Sequence, residues 1–305
     1  MNWIKHGLVF EAKHQFEWLH SHAQLPVADK ISDKLVRVYF AGRNIDQISS
    51  IGYVELDVED KFKIKKLSTE PVLRSGPIGH FDEHGVFPAS IVNVGSKKYL
   101  YYIGWNKGYK QPLFYASIGL AISEDGGQTF KKYGGSPLLS RSDFDPCLVT
   151  SPHIFIDSGI WRMTYVSGVK WEEVNGQLKS YYHIKYAESV DGLVWNREGI
   201  VCVDFRDKKE SNIARSAVIK ENDVYKMWFC YVYGDTKYRI GYAESADCKS
   251  WNRNDAVAGI TVSNEGFDRD MICYPNIISI NGVKYMFYNG NNFGKEGFGV
   301  ASSPK

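Results

Sequence analysis

The chain has 305 residues, with 37 Lys and Arg against 35 Asp and Glu and a formal net charge of +2. That balance gives no electrostatic case for nucleic acid or an anionic membrane as partner. No apolar run is long enough to span a bilayer, and the first residues contain no apolar signal-peptide segment. Aromatic residues make up 14% of the chain and glycines number 28, while runs with helical periodicity are scarce, so short strands and turns are expected. The five cysteines (Cys147, Cys202, Cys230, Cys248 and Cys273) are odd in number and form no CxxC pair. They suit a reduced, cytoplasmic compartment.

In chain order, the first pattern is Trp3, three residues, Gly7 and two apolar residues. A two-strand frame then begins at Pro26 and returns at Pro88, Pro152, Ser216 and Pro275, at spacings of 62, 64, 64 and 59 residues. Each anchor leads through a turn into a second strand. The clearest case is the last, where Asn281-Gly282 is a two-residue hairpin signal before Tyr285 and Tyr288. Third strands align at residues 50–54, 118–123, 184–189, 240–245 and 298–302. Three of them run into turns carrying Asp125, Asp191 and Asp247, followed by Phe130, Trp195 and Trp251. Short Asp-Gly turns of this kind satisfy free backbone N–H groups. The first resembles the Asp-box of sialidase-type propellers, which implies a structural role for its aspartate.

A period near sixty indicates an array of one supersecondary unit. A fourth strand follows Trp195, with Gly199 and two apolar residues after it, but the last repeat ends before such a strand. The matching pattern lies at Trp3 and Gly7. The expected fold is therefore all-β: one domain over residues 1–305, a five-bladed β-propeller of four-stranded antiparallel blades. The N-terminal strand closes its last blade. Closure leaves no open sheet edge, so a monomer is expected.

In this architecture the loops leading into each first strand share a face with the loops between second and third strands. That face is rich in functional groups, whereas the tight hairpins lie opposite. Its candidates for catalysis are Asp82, Asp145 and Asp270, assisted by His22. The candidates for substrate binding are His20, Arg43, Glu83, Trp105, His153, Trp171, Arg215, Tyr274, Asn276 and Asn291. Carboxylates, histidines and indoles on one face suit carbohydrate, and glycosidic hydrolysis needs two carboxyl groups across the scissile bond. The histidines and arginines also suit a phosphate or carboxylate group. No short-spaced metal-ligand motif is visible, so no metal or cofactor is expected.

The repeat frame, seen in Pro275, Ile277, Gly282, Tyr285, Met286 and Tyr288 and in Tyr186, Ser189, Asp191, Gly192 and Trp195, resembles the five-bladed propeller glycosidases. That superfamily includes arabinanases, xylosidases, invertases, levansucrases and mannoside phosphorylases. The resemblance covers the whole chain and implies a glycoside hydrolase-like enzyme acting on an oligosaccharide or glycoconjugate. Two alternatives stand beside it: a phosphorylase or transferase using an activated or phosphorylated sugar, and a propeller that binds a carbohydrate or protein without catalysis. The chain departs from the family at one kind of position. Relatives keep an acid immediately before the anchor proline of early blades, whereas this chain has Leu25, Phe87, Ser151 and Tyr274, with Arg215 before Ser216.

Overall fold

The computed structural model describes residues 2–303, and strands account for most of them. In chain order these are β1 (Ile4–Phe10), β2 (Ser21–Lys30), β3 (Leu35–Arg43), β4 (Ser49–Asp57), β5 (Lys63–Leu67), β6 (Val86–Val94), β7 (Lys97–Lys107), β8 (Phe114–Ser123), β9 (Lys131–Lys132) and β10 (Leu148–Asp157). Then follow β11 (Ile160–Val174), β12 (Gln177–Ser189), β13 (Asn196–Val203), β14 (Glu210–Glu221), β15 (Val224–Tyr233), β16 (Arg239–Ser245), β17 (Asn252–Arg253), β18 (Cys273–Ile280), β19 (Val283–Asn289) and β20 (Phe298–Ser303). No helix among the described residues is long and apolar enough to cross a membrane.

The strands form antiparallel units of four. β2-β3-β4-β5 is one sheet and β6-β7-β8-β9 another. β10 to β17 make an eight-stranded sheet, but it is two units joined by one parallel pair, Tyr182 with Asn212. The remaining sheet has the order β1-β20-β19-β18. There β1 runs antiparallel to β20, with Ile4 opposite Ser302 and Phe10 opposite Phe298. The two ends of the chain therefore share a sheet.

Burial explains which strand lies where. The first strands β2, β6, β10, β14 and β18 neighbour one another in that order, and β18 also lies against β2. β2 is buried on both sides along most of its length, whereas β1 alternates between exposed and half-buried residues. An apolar cluster fills each space between successive units. One joins Tyr39 and Ile51 to Leu100 and Tyr102. Another joins Val36, Phe40 and Phe10 to Phe287 and Phe298, which links the last unit to the first. The Phe10 ring lies 4.8 Å from Phe40 and 5.8 Å from Phe298.

Two glycines show how close the layers come. A Cβ at Gly52 would stand 2.2 Å from the Trp18 ring, and one at Gly299 would stand 2.4 Å from Phe267. In each case the loop leading into the unit lays an aromatic over the third strand. The Asp turns hold the opposite face. Asp125 is held at about 2: burial opposes ionisation, but bonds from Thr129, Ser123 and Gln128 outweigh it. Asp191 and Asp247 accept the same kind of backbone N–H bonds.

Removing residues 2–10 strips β20 of its outer partner and takes Phe10 from the cluster between the last and first units. Phe10→Ala alone is expected to cost about 3–5 kcal/mol. The deletion is expected to abolish cooperative unfolding, as followed by circular dichroism on heating.

Candidate ligand-binding site

Each first strand contains a bulge. In four units the ladder sets two residues against one: Leu25 and Pro26 against Phe40, Ser151 and Pro152 against Tyr165, Arg215 and Ser216 against Phe229, Tyr274 and Pro275 against Tyr288. The leading residue of each pair is left-handed, with φ of 51°, 48°, 49° and 58° for Leu25, Ser151, Arg215 and Tyr274. A non-glycine residue in that region costs on the order of 1–3 kcal/mol and is found most often at functional sites. In the second unit the bulge falls later, between Pro88 and Ser90.

These bulges aim the residues that precede the anchors at one place. Leu25, Phe87, Ser151 and Tyr274 line a cavity of about 380 Å³. Arg215 lies fully buried beside it, donating to the carbonyls of Pro26 (3.4 Å) and Pro88 (3.1 Å). The cavity walls are apolar and aromatic, with Trp105, Phe114, Tyr182, Tyr238 and Phe293. Their polar complement is His22, Gln24, Arg43, Gln111, Thr150 and Asn292. The loop holding Gln111, Pro112 and Leu113 forms one wall, and Trp171 from the long β11–β12 hairpin braces it through an edge-on contact with Phe114.

The electrostatics of the cavity are one-sided. Among the described residues, no Asp or Glu lines it. Arg43 donates its Nε to Gln24 at 2.9 Å, and burial lowers its pKa. Burial also brings Arg215 down to about 10, which leaves it charged at neutral pH. Burial, followed by the charges of Arg43 and Lys295, holds His22 near 4, so its imidazole is neutral. The Tyr182 and Tyr238 hydroxyls bond to each other, and burial raises both. Burial likewise raises Tyr274.

Of the residues expected from the sequence, His22, Arg43, Trp105 and Tyr274 meet at this cavity, Trp171 supports its wall and Arg215 underlies it. The carboxylates expected to do chemistry are elsewhere. Asp82 is buried between Lys132 (2.5 Å) and the Tyr102 hydroxyl (3.1 Å). Asp145 is fully buried and bound by Arg197 (3.0 Å), Ser142 and Tyr165. Asp268 repeats the arrangement with Lys5 (2.7 Å) and Tyr288 (2.9 Å). Asp270 lies outside, paired with Lys237 and Arg269. The physical reason is the same for the first three: a loop carboxylate is tied to a cation on the outermost strand, and none of the three lines the cavity.

The other expected binders also have structural partners. Glu83 accepts from the Gly79 amide and from Asn106. His20 packs against His14 with ring centroids 3.8 Å apart and planes tilted by 55°, and His153 bonds to the Val218 carbonyl. Asn276 accepts from the Ala28 amide, and Asn291 accepts from the amide of Asp270. Sequence reasoning missed Gln111, Pro112, Leu113, Tyr182, Tyr238 and Phe293. Gln111, Pro112, Leu113 and Phe293 lie in loops off the repeat, where the period carries no signal. Tyr182 and Tyr238 each stand two residues before the aligned third-strand residues Ile184 and Ile240, a repeated position that could have found them.

Two curated relatives span the chain almost completely. The uncharacterized proteins MT1551 and Rv1502, from two strains of Mycobacterium tuberculosis, are each 37% identical over 301 residues, covering 99% of both chains. The chain belongs to their family. No protein-family model matches it. Among solved structures it is similar to a thermostable family-43 glycoside hydrolase, with a TM-score of 0.72 and 18% identity over 92% of this chain and 89% of that one. A glycosyl hydrolase from Bacteroides ovatus gives 0.70 and 14% over 99% and 94%. The family-32 β-fructofuranosidase of Bombyx mori gives 0.64 and 15% over 93% and 61%. The fold is that of the glycoside hydrolase-like propellers.

Two outcomes test the placement of these groups. Asp145→Ala leaves Arg197 and Lys185 without their carboxylate and is expected to cost about 3–5 kcal/mol in thermal or urea unfolding. Because Asp145 does not line the cavity, ligand binding in the folded variant should be unchanged. The second outcome concerns acid. Burial, only partly offset by the bond to Val218, holds His153 near 4, below its ordinary 6.5. On acidification the unfolded chain therefore takes up this proton first. The contribution of His153 is complete above pH 6.5 and is lost as pH falls toward 4, by at most about 1.4 kcal/mol per unit. Stability measured across this range should fall less steeply in His153→Gln.

Proposed function

We propose that the chain is a single five-bladed β-propeller domain, closed by its N-terminal strand, whose axial cavity binds a carbohydrate without hydrolysing it through a carboxylate pair. Support for the closed ring comes from the order of the first strands, with β18 against β2, and from the pairing of β1 with β20. Support for carbohydrate comes from the fold of the similar structures and from the walls of the cavity. Aromatic rings such as Trp105, Tyr238 and Phe293 can stack on the C–H faces of a sugar. Gln24, Gln111, Thr150 and Asn292 supply donors and acceptors for its hydroxyls.

One observation carries the non-hydrolytic reading. Hydrolysis by either stereochemical route needs two carboxyl groups within about 5–10 Å of each other, across the glycosidic bond. The positions before the anchors do converge on the cavity, but they carry Leu25, Phe87, Ser151, Arg215 and Tyr274. The loop carboxylates Asp82, Asp145 and Asp268 do not line the cavity and are buried in ion pairs. A carboxylate fixed between a cation and a tyrosine can neither deliver a proton to the cavity nor attack across it. The five free cysteines, four of them buried, fit a reducing, cytoplasmic setting.

The test is a glycan array run beside a screen of aryl glycosides and oligosaccharides. Retention of defined glycans with no release of aglycone or reducing sugar is the expected result. Turnover that disappears in Asp82→Asn or Asp145→Asn, in variants that remain folded, would restore the hydrolase reading.

A further inference from the structure

Building on the carbohydrate-binding reading, we propose that the sugar bound in the axial cavity carries an anionic group, a carboxylate, sulfate or phosphate, and that Arg43 receives it. Four observations converge on this. First, among the described residues the cavity lining contains an arginine and a histidine but no carboxylate. Second, Arg43 lies at the end of β3 in the cavity wall, and its only side-chain bond among the described residues runs from Nε to Gln24. Its two Nη groups are therefore free for a forked contact, the geometry in which guanidinium recognises carboxylate and phosphate.

Third, Arg43 has no carboxylate partner among the described residues, whereas Arg37, Arg162, Arg197, Arg206 and Arg253 are all within ion-pair distance of one. Arg239 and Arg141, which also lack one, are held by backbone carbonyls and by the Tyr115 ring respectively. A half-buried guanidinium without a counter-charge is costly, and an anion entering the cavity would supply that charge. Fourth, Arg215 adds a fixed positive charge beside the same space. Each of its Nη groups donates to a carbonyl, of Pro88 or Pro26, and it does not line the cavity, so it contributes field and Arg43 makes the contact. The neutral state of His22 fits this local positive potential, because the charges of Arg43 and Lys295 act with burial against its protonation.

The experiment uses the full-length chain. Neutral glycans and counterparts bearing uronate, sulfate or phosphate are compared on one array, with the wild type, Arg43→Gln and Arg43→Lys. Inorganic phosphate and sulfate are titrated separately while thermal unfolding is monitored. Arg43 makes a single side-chain bond, so both variants are expected to fold, and their melting curves check this. The retained glycans should be the anionic ones, and retention should weaken with added salt. Arg43→Gln should lose on the order of tenfold to hundredfold in affinity. Arg43→Lys should keep the salt dependence with part of the affinity.

Neutral glycans held as tightly as their anionic counterparts would overturn the inference and leave the carbohydrate reading standing. Equal retention of anionic glycans by the wild type and Arg43→Gln would do the same. If no glycan of either class is held, the carbohydrate reading fails. Phosphate or sulfate that stabilises the wild type but not Arg43→Gln would then still uphold an anion site at Arg43, and the lack of such a difference would end that too.

Discussion

A buried carboxylate has to meet a cation, and that requirement sets the shape of this molecule. Asp82 reaches Lys132 on β9, Asp145 reaches Arg197 on β13, Glu210 reaches Arg253 on β17 and Asp268 reaches Lys5 on β1. In each unit the acid belongs to the loop leading into the first strand or to its opening residue, and the cation belongs to the outermost strand. The tie therefore draws the loop across the whole width of its sheet. Such a pair adds little over a well-packed apolar contact, but it is expensive to break on one side only. The first unit shows the apolar substitute. There Trp18 lies over Gly52 and gives its indole N–H to the Thr69 carbonyl. The loops held down in these two ways lead directly into the first strands, whose residues Leu25, Phe87, Ser151 and Tyr274 line the cavity.

The same requirement sorts charge by radius. Acids and their cations are used at the periphery. Near the axis the bulges deliver Leu25, Ser151, Arg215 and Tyr274, and the second unit contributes Phe87 from just before its bulge, none of them acidic. A hydrolase on this scaffold would need the opposite distribution, with acids at the bulges. The scaffold keeps a strained, left-handed backbone at four bulge positions, yet the side chains there suit contact and charge recognition. Strain at those positions is inherited from the geometry of the strand and does not by itself indicate proton transfer.

The repeat was legible because it is written in residues that turns and close approaches require. Pro26, Pro88, Pro152 and Pro275 mark the bulges, Gly52 and Gly299 lie beneath aromatic rings, and Asp125, Asp191 and Asp247 close the turns. The pairing of β1 with β20 was legible from Trp3 and Gly7 for the same reason. The role of the loop acids was not. An aspartate poised for catalysis and an aspartate locked to an outer strand look alike in a loop. The discriminating signal was nevertheless present: Asp82, Asp145 and Asp268 each precede a hydrogen-bonded tyrosine (Tyr102, Tyr165 and Tyr288) by 20 residues. A spacing that recurs in three units belongs to the scaffold, because a catalytic pair has no reason to repeat. The cavity wall formed by Gln111, Pro112 and Leu113 lies off the repeated frame and depends on loop conformation, which periodicity does not encode, whereas Tyr182 and Tyr238 share one position of the frame, two residues before Ile184 and Ile240.

Arg215 separates what is structural near the axis from what is available. It carries two penalties at once, a left-handed backbone and a fully buried charge. Both become intelligible from its partners. Pro26 belongs to the bulge of the first unit and Pro88 borders the bulge of the second, and a bulge interrupts the ladder that would otherwise occupy backbone acceptors. A guanidinium from the fourth unit binds both carbonyls, so one side chain braces three units around the axis. A neutral side chain of the same length would satisfy fewer acceptors and leave no charge. Arg43 has no such duty. It stands in the wall of the same cavity with one bond, to Gln24, and a free fork. The axis thus holds one cation used by the fold and one that the fold leaves unused, and the second is the one a ligand can reach.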